Sequence, residues 1–150
     1  MARTDISMTA AEIDELLSTA TDLQVATNGE DGYPHLTTLW FILVAGLVTF
    51  RSFTKSQRIV NLRRDPRVTV LVEAGKDYSE LRGVMIQGRA ELDTDPGRVM
   101  DTYLAVTRKM RGADMTPEAV ESLFGRFRDK NTVVTVHPER TISWGHRKGG

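Results

Sequence analysis

The sequence predicts a mainly β protein, a small antiparallel barrel with helices at its rim. Three observations carry that reading. Segments of strand character are separated by tight turn signals, Asn28-Gly29-Glu30-Asp31-Gly32 and Ala45-Gly46, and strands joined so closely pair antiparallel, because a parallel pair needs a long crossover. Leu47–Phe53 alternates in polarity, the period of a strand whose two faces meet different surroundings. The whole order is one helix, three strands, a short helix, two strands, two helices and two strands, and a closed sheet removes the exposed edges that such a set would otherwise present.

Each element has a local reason. Thr9-Ala-Ala-Glu12 is a capping-box pattern, followed by the apolar face Ile13, Leu16 and Leu17 of a first helix ending near Ser18. Asp22–Asn28 has strand character, and Pro34 follows the turn after it, so a hairpin is expected with its return strand over 35–44. That strand starts with mixed polarity and ends wholly apolar, which predicts burial on both faces at its far end. In Leu47–Phe53, Leu47, Thr49, Arg51 and Phe53 share one face and Val48, Phe50 and Ser52 the other. A short helix anchored by Ile59 and Leu62 stops at Pro66, which lacks the N–H to continue it. Residues 68–74 read as a buried strand and 82–92 as another, with Gly83 and Gly88 marking a bulge or a close approach to the backbone. Asp95-Pro96 and Thr116-Pro117 each open a helix as cap and first residue. Val99, Met100, Tyr103, Leu104, Val106 and Thr107 give the first its apolar positions; Val120, Leu123, Phe124 and Phe127 serve the second. Strands at 132–137 and 141–144 precede a basic tail, His146-Arg147-Lys148-Gly149-Gly150.

At 150 residues the chain is expected to form one domain, 1–150, able to hold a core without staples. It has no cysteine, hence no disulfide framework, thiolate metal site or thiol nucleophile, a usage that fits a reducing compartment. Acids interrupt the N-terminal stretch where a signal peptide needs a continuous apolar run, and no segment approaches the ~20 apolar residues of a membrane span. A soluble cytoplasmic protein is the expectation.

Positive charge is concentrated in 51–67, which holds Arg51, Lys55, Arg58, Arg63, Arg64 and Arg67 against Asp65 alone, in a chain of formal charge zero. Lys55, Ser56 and Arg58 fall at the start of the short helix, where unpaired N–H groups and the positive end of a dipole suit a phosphate. On spacing alone this turn reads either as a solvated corner or as an anion site. Arg63, Arg64 and Arg67 read as solvated helix face or as ion-pair partners of Glu73 and Glu91. His35, His137 and His146 have no metal-ligand spacing, and no nucleophile-elbow or P-loop motif occurs. Zero net charge and few aromatics argue against a nucleic-acid partner.

The run R-S-F-T-K-S-Q-R-I-V-N-L-R-R-D-P-R-V at 51–68, preceded by G-Y-P-H-L-T-T-L-W-F at 32–41 and followed by L-R-G-V-M-I-Q-G-R-A-E-L at 81–92, resembles the pyridoxamine 5'-phosphate oxidase-like split β-barrel proteins. More narrowly, it resembles their actinobacterial branch that binds the deazaflavin F420. The likeness runs over about 11–148 and includes the ending I-S-W-G-H-R-K. It implies a six- or seven-stranded antiparallel split β-barrel, and a homodimer with two cofactor sites at the subunit interface. It further implies that Leu36, Thr37, Thr38, Leu39 and Trp40 lie along a tricyclic ring flanked by Arg51, Ser52 and Phe53. Lys55, Ser56, Arg58 and Asn61 match the phosphate-binding turn, Gln87 a strand position near the ring, and Trp144 a contact from the C-terminal segment, its own or a partner's. The flavin-binding oxidases carry Arg-Ser-x-Lys at the turn, whereas this chain has Lys55-Ser56-Gln57-Arg58. The implied function is an F420-dependent oxidoreductase reducing an unsaturated or heteroaromatic small molecule. The alternatives are an FMN-binding oxidoreductase of the same fold and a cofactor carrier without turnover.

Overall fold

A computed structural model describes residues 5–149. Residues 1–4 and 150, which belong to the expected single domain and basic tail, lie outside the described residues. Seven strands form one antiparallel sheet: β1 (Asp22–Asn28), β2 (Pro34–Trp40), β3 (Ile42–Val44), β4 (Leu47–Phe53), β5 (Arg67–Ala74), β6 (Arg82–Asp93) and β7 (Asn131–Gly145), in spatial order β2-β1-β5-β6-β7-β4-β3. The two edge strands, β2 and β3, are consecutive in the chain. The sheet therefore curls until its edges face each other, which is the expected split β-barrel with seven strands.

Two strand boundaries differ from expectation. The strand read over 35–44 breaks at Phe41, because both main-chain groups of that buried residue have partners outside the ladder. Its N–H donates to the Thr21 carbonyl at 3.3 Å and its carbonyl accepts from Lys109 Nζ at 3.1 Å. Conversely, the two closing strands are one. Gln87 faces Arg140 while Gly88 faces Pro138, so Glu139 is an extra residue, and this bulge accommodates a proline that cannot donate to the ladder. Both glycines act as read: a Cβ on Gly88 would collide with the His137 carbonyl, and one on Gly83 with the Trp144 indole.

Among the described residues four α-helices surround the sheet: α1 (Ala10–Thr19), α2 (Gln57–Arg64), α3 (Pro96–Arg111) and α4 (Pro117–Phe124). The capping box at Thr9 and Glu12 is formed, and Asp95 and Thr116 accept from the N–H groups of Arg98 and Ala119. Leu16 and Leu17 of α1 and Ile59 and Leu62 of α2 pack on the inner residues of the sheet, among them Val25, Phe50, Val70, Val84 and Val134. A second cluster joins Val99 and Tyr103 of α3 to Val120 of α4 and Val133 of β7. The outer face of the sheet carries the cross-strand row Thr38, Gln24, Leu71, Met85 and Ile142, each only partly covered or exposed. The basic tail folds back, with Lys148 2.6 Å from Glu12 and Arg147 3.4 Å from Glu80. Among the described residues no helix is long and apolar enough to cross a membrane.

Candidate cofactor site

α2 begins just after β4 ends, and its start is not capped by a side chain. Ser56 occupies the cap position with extended backbone, but its hydroxyl bonds the Ser52 hydroxyl at 2.9 Å instead of a helix N–H. The positive end of the helix is left open. Arg58 donates from Nε and Nη2 to Thr37 Oγ1 at 3.1 and 2.9 Å and from Nη1 to Ser52 Oγ at 2.7 Å. Since Thr37 is on β2 and Ser52 on β4, this guanidinium bridges the split of the barrel.

Arg51 points from the opposite face of β4 toward α3. Its guanidinium carbon is 3.8 Å from the Tyr103 ring centroid, Nη1 donates to Asn131 Oδ1 at 3.2 Å, and the buried Nε has no partner. Among the described residues, no carboxylate lies within ion-pair reach of Arg51, Lys55 or Arg58. Burial lowers the pKa of Arg51, opposed by Tyr103, and burial alone lowers that of Arg58; both remain charged at neutral pH.

Between these cations lies a cleft of about 220 Å³. Thr38, Leu39 and Trp40 form its β2 side, Arg51, Ser52 and Phe53 its β4 side, Arg58 one end, and Val106 of α3 the remaining wall. Trp40 and Phe53 are 52% and 47% exposed, so the mouth offers two half-uncovered aromatic surfaces. Beyond Phe53 a second hollow of about 450 Å³ is lined by Lys55, Lys130, Thr54 and Asp129. The arrangement can hold a flat apolar group with an anion attached.

The family model described as pyridoxamine 5'-phosphate oxidase matches residues 9–145. The chain belongs to the pyridoxamine 5'-phosphate oxidase family. A conserved hypothetical protein of Mycobacterium tuberculosis is 37% identical, over 100% of this chain and 92% of that one, with a TM-score of 0.90. A protein described as an F420 reductase is 22% identical over 85% of this chain and 94% of its own (TM-score 0.67). An FAD-binding protein of Mesorhizobium loti is 18% identical over 91% and 93% (TM-score 0.62). The last two likenesses show the fold. No curated protein matches the chain.

Within this pyridoxamine 5'-phosphate oxidase family chain the expected site residues separate into groups. Thr38, Leu39, Trp40, Arg51, Ser52, Phe53 and Arg58 line the cleft, Thr37 and Ser56 belong to its hydrogen-bond network, and Lys55 stands exposed at the rim. Leu36 is exposed on the outer face of β2. Asn61 lies beneath the site, fully buried: Nδ2 donates to Thr27 Oγ1 at 3.0 Å, and Oδ1 accepts from Gln57 at 2.8 Å and Arg64 at 3.3 Å. Gln87 and Trp144 are on the outer face of β6 and β7, three and four strands from β2. Neither residue lines the cleft.

Arg63, Arg64 and Arg67 are exposed, the solvated face of the two expectations, and among the described residues none pairs with Glu73 or Glu91. Arg67 pairs with Asp65 at 2.7 Å, and Arg64 donates to the Asn28 carbonyl. Glu91 pairs with His137 at 2.7 Å, and no ion pair to Glu73 forms among the described residues. Across the β5–β6 ladder Arg67 faces Arg89, a like charge, and its carboxylate partner is the one two residues earlier in the chain. Sequence reading had not placed Val106, Tyr103 or Asn131 at the site. The three-residue spacing of Tyr103, Val106 and Lys109 was the available signal for the α3 wall.

Proposed function

We propose that this chain is an F420-dependent oxidoreductase that reduces an unsaturated or heteroaromatic small molecule. The observation that carries this reading is a pair of cations without ion-pair partners among the described residues, Lys55 and Arg58, at an uncapped helix start beside a cleft with aromatic lips. A buried guanidinium without a carboxylate is stable when a ligand brings the anion, so the residues present fit a phosphate-bearing, ring-containing cofactor. Arg58 and Lys55 with the α2 N–H groups would hold the phosphate; Thr38, Leu39, Trp40 and Phe53 would position the ring and exclude water. The hollow beyond Phe53, where Lys55 and Lys130 outnumber Asp129, suits the carboxylates that F420 carries past its phosphate and FMN lacks. When bound in reduced form, F420 supplies a hydride: the acceptor gains that electron pair and hydrogen at one atom and a solvent proton at its neighbour, a two-electron reduction.

The working unit of this reading is a homodimer. Gln87 and Trp144 do not line the cleft of their own chain, and they share the incompletely covered outer face with Leu71, Met85 and Ile142. A second copy on that face would cover it and bring those residues to a cleft. Sedimentation velocity should give a dimer, and Met85→Arg a monomer with weakened cofactor binding.

Parallel equilibrium titration with F420 and FMN tests the assignment, with F420 expected to bind at least tenfold more tightly. Tighter FMN binding, or yellow flavin retained on purification, transfers the reading to an FMN-dependent oxidoreductase. Binding of reduced F420 that no unsaturated acceptor can reoxidise would make the chain a carrier.

A further inference from the structure

Two cations flank the α3 wall of the cleft: Arg51, which reaches it from β4 and lines the cleft, and Lys109 on α3 itself. Tyr103, Val106 and Lys109 recur at every third residue and share one face of α3. Tyr103 lies under the Arg51 guanidinium, Val106 forms the cleft wall, and the Lys109 ammonium sits 4.3 Å from the Phe41 ring centroid while donating to the Phe41 carbonyl. No carboxylate lies within ion-pair reach of either cation among the described residues. Of the Arg51 nitrogens, Nη1 alone has a protein acceptor, and Nε is buried without one. Burial lowers the Lys109 pKa, as it does that of Arg51.

Desolvated cations without counter-charges are a cost that a ligand anion offsets. On α3 the residue between them is Val106, which faces the cleft opposite the residues that would position the cofactor ring. Six residues separate Tyr103 from Lys109, about 9 Å along the helix. A guanidinium presents a fork that matches a carboxylate, whereas an ammonium is a point charge suited to a single oxygen.

We infer that this wall binds a small unsaturated carboxylate, its carboxylate group on Arg51, its apolar frame along Val106 and its far end toward Lys109. Resting on the F420 reading above, that carboxylate is the acceptor of the hydride.

Isothermal titration of the cofactor-free protein with trans-cinnamate and with neutral cinnamamide tests the site. Cinnamate is expected to bind at least tenfold more tightly than the amide. Arg51→Gln should lose tenfold or more in cinnamate affinity, Arg51→Lys should recover part of it, and Lys109→Met should lose about threefold while binding F420 as before. No saturable cinnamate binding, equal affinity for acid and amide, or unchanged cinnamate affinity in variants with an unchanged unfolding midpoint overturns the inference. An F420 titration of the same samples separates the two readings. Cinnamate binding without F420 binding keeps the carboxylate site and removes the hydride chemistry; F420 binding without cinnamate binding removes the carboxylate site alone.

Discussion

The two ends of α2 treat their charges in opposite ways. At its start, Arg58 bonds only hydroxyls, Lys55 faces solvent, and the cap hydroxyl is turned aside to Ser52. At its end, Arg63 apart, the charges and amides are engaged within the chain: Asn61 with Thr27, Gln57 and Arg64, and Asp65 with Arg67 and with Asn28 Nδ2 at 3.0 Å. The Pro66 carbonyl then accepts from Ala90 at 2.8 Å, tying the helix exit to β6. A satisfied polar group fixes a position; an unsatisfied cation awaits a partner. The back of α2 is the anchor that holds the front of α2 against the split of the barrel, and the front is where an anion can be received.

The largest effect should come from the anchor. Asn61→Ala removes a buried amide and strands Thr27 and Gln57 without their partner, a loss of about 3 kcal/mol. Urea unfolding should show it as a lower midpoint at unchanged slope. If stability held and cofactor affinity fell instead, Asn61 would belong with the front end. Next in size is Arg58→Met, which removes both a candidate phosphate contact and the bridge between Thr37 and Ser52. Cofactor affinity should fall about thirtyfold, or ~2 kcal/mol, the scale of charge-assisted hydrogen bonds. Arg58→Lys should restore only part of that, because an ammonium cannot span both strands with three directed bonds.

This division explains what the sequence disclosed and what it concealed. Strand positions and helix caps were legible because turn residues, capping patterns and period-two alternation are local, and the caps at Thr9, Asp95 and Thr116 form as read. The break at Phe41 was hidden because its cause, a lysine from α3 taking a strand carbonyl, is 68 residues away. The single long β7 was hidden because Pro138 looks like a terminator, and the bulge beside it depends on the opposing Gly88. The basic turn was visible as a charge cluster, but sequence could not tell which cations would find carboxylates. Arg67 is neutralised two residues from itself, while Lys55 and Arg58 are not. The α3 wall went unread because its residues look like ordinary apolar helix positions until β4 packs against them.

A smaller effect is expected at Lys55, the exposed member of the front set. Lys55→Ala should leave the unfolding midpoint within experimental error and weaken cofactor binding about fivefold, ~1 kcal/mol, as for a charge contact open to solvent. Raising salt to about 1 M shrinks the screening length to ~3 Å and should erase most of the difference between wild type and variant. A salt-independent loss would mean that Lys55 shapes the turn instead of supplying charge.

The smallest effect tests the anchor by pH. Hydrogen bonds from the Arg67 guanidinium, then from the Asn28 amide, hold the Asp65 carboxyl well below the usual carboxylate range. A folded-state pKa below the unfolded value of ~3.9 means that the carboxylate's contribution is fully present above about pH 5 and is lost as pH falls through 4 toward the folded value. Asp65→Asn should therefore lower the unfolding midpoint by a constant amount from about pH 7 to pH 5, and the gap to wild type should close progressively below pH 4. Cofactor affinity at neutral pH should stay as it was, because Arg67 and Asn28 belong to the back of α2. A gap that widened in acid would reverse the sign, and would place the stabilising proton on the carboxyl instead of taking it away.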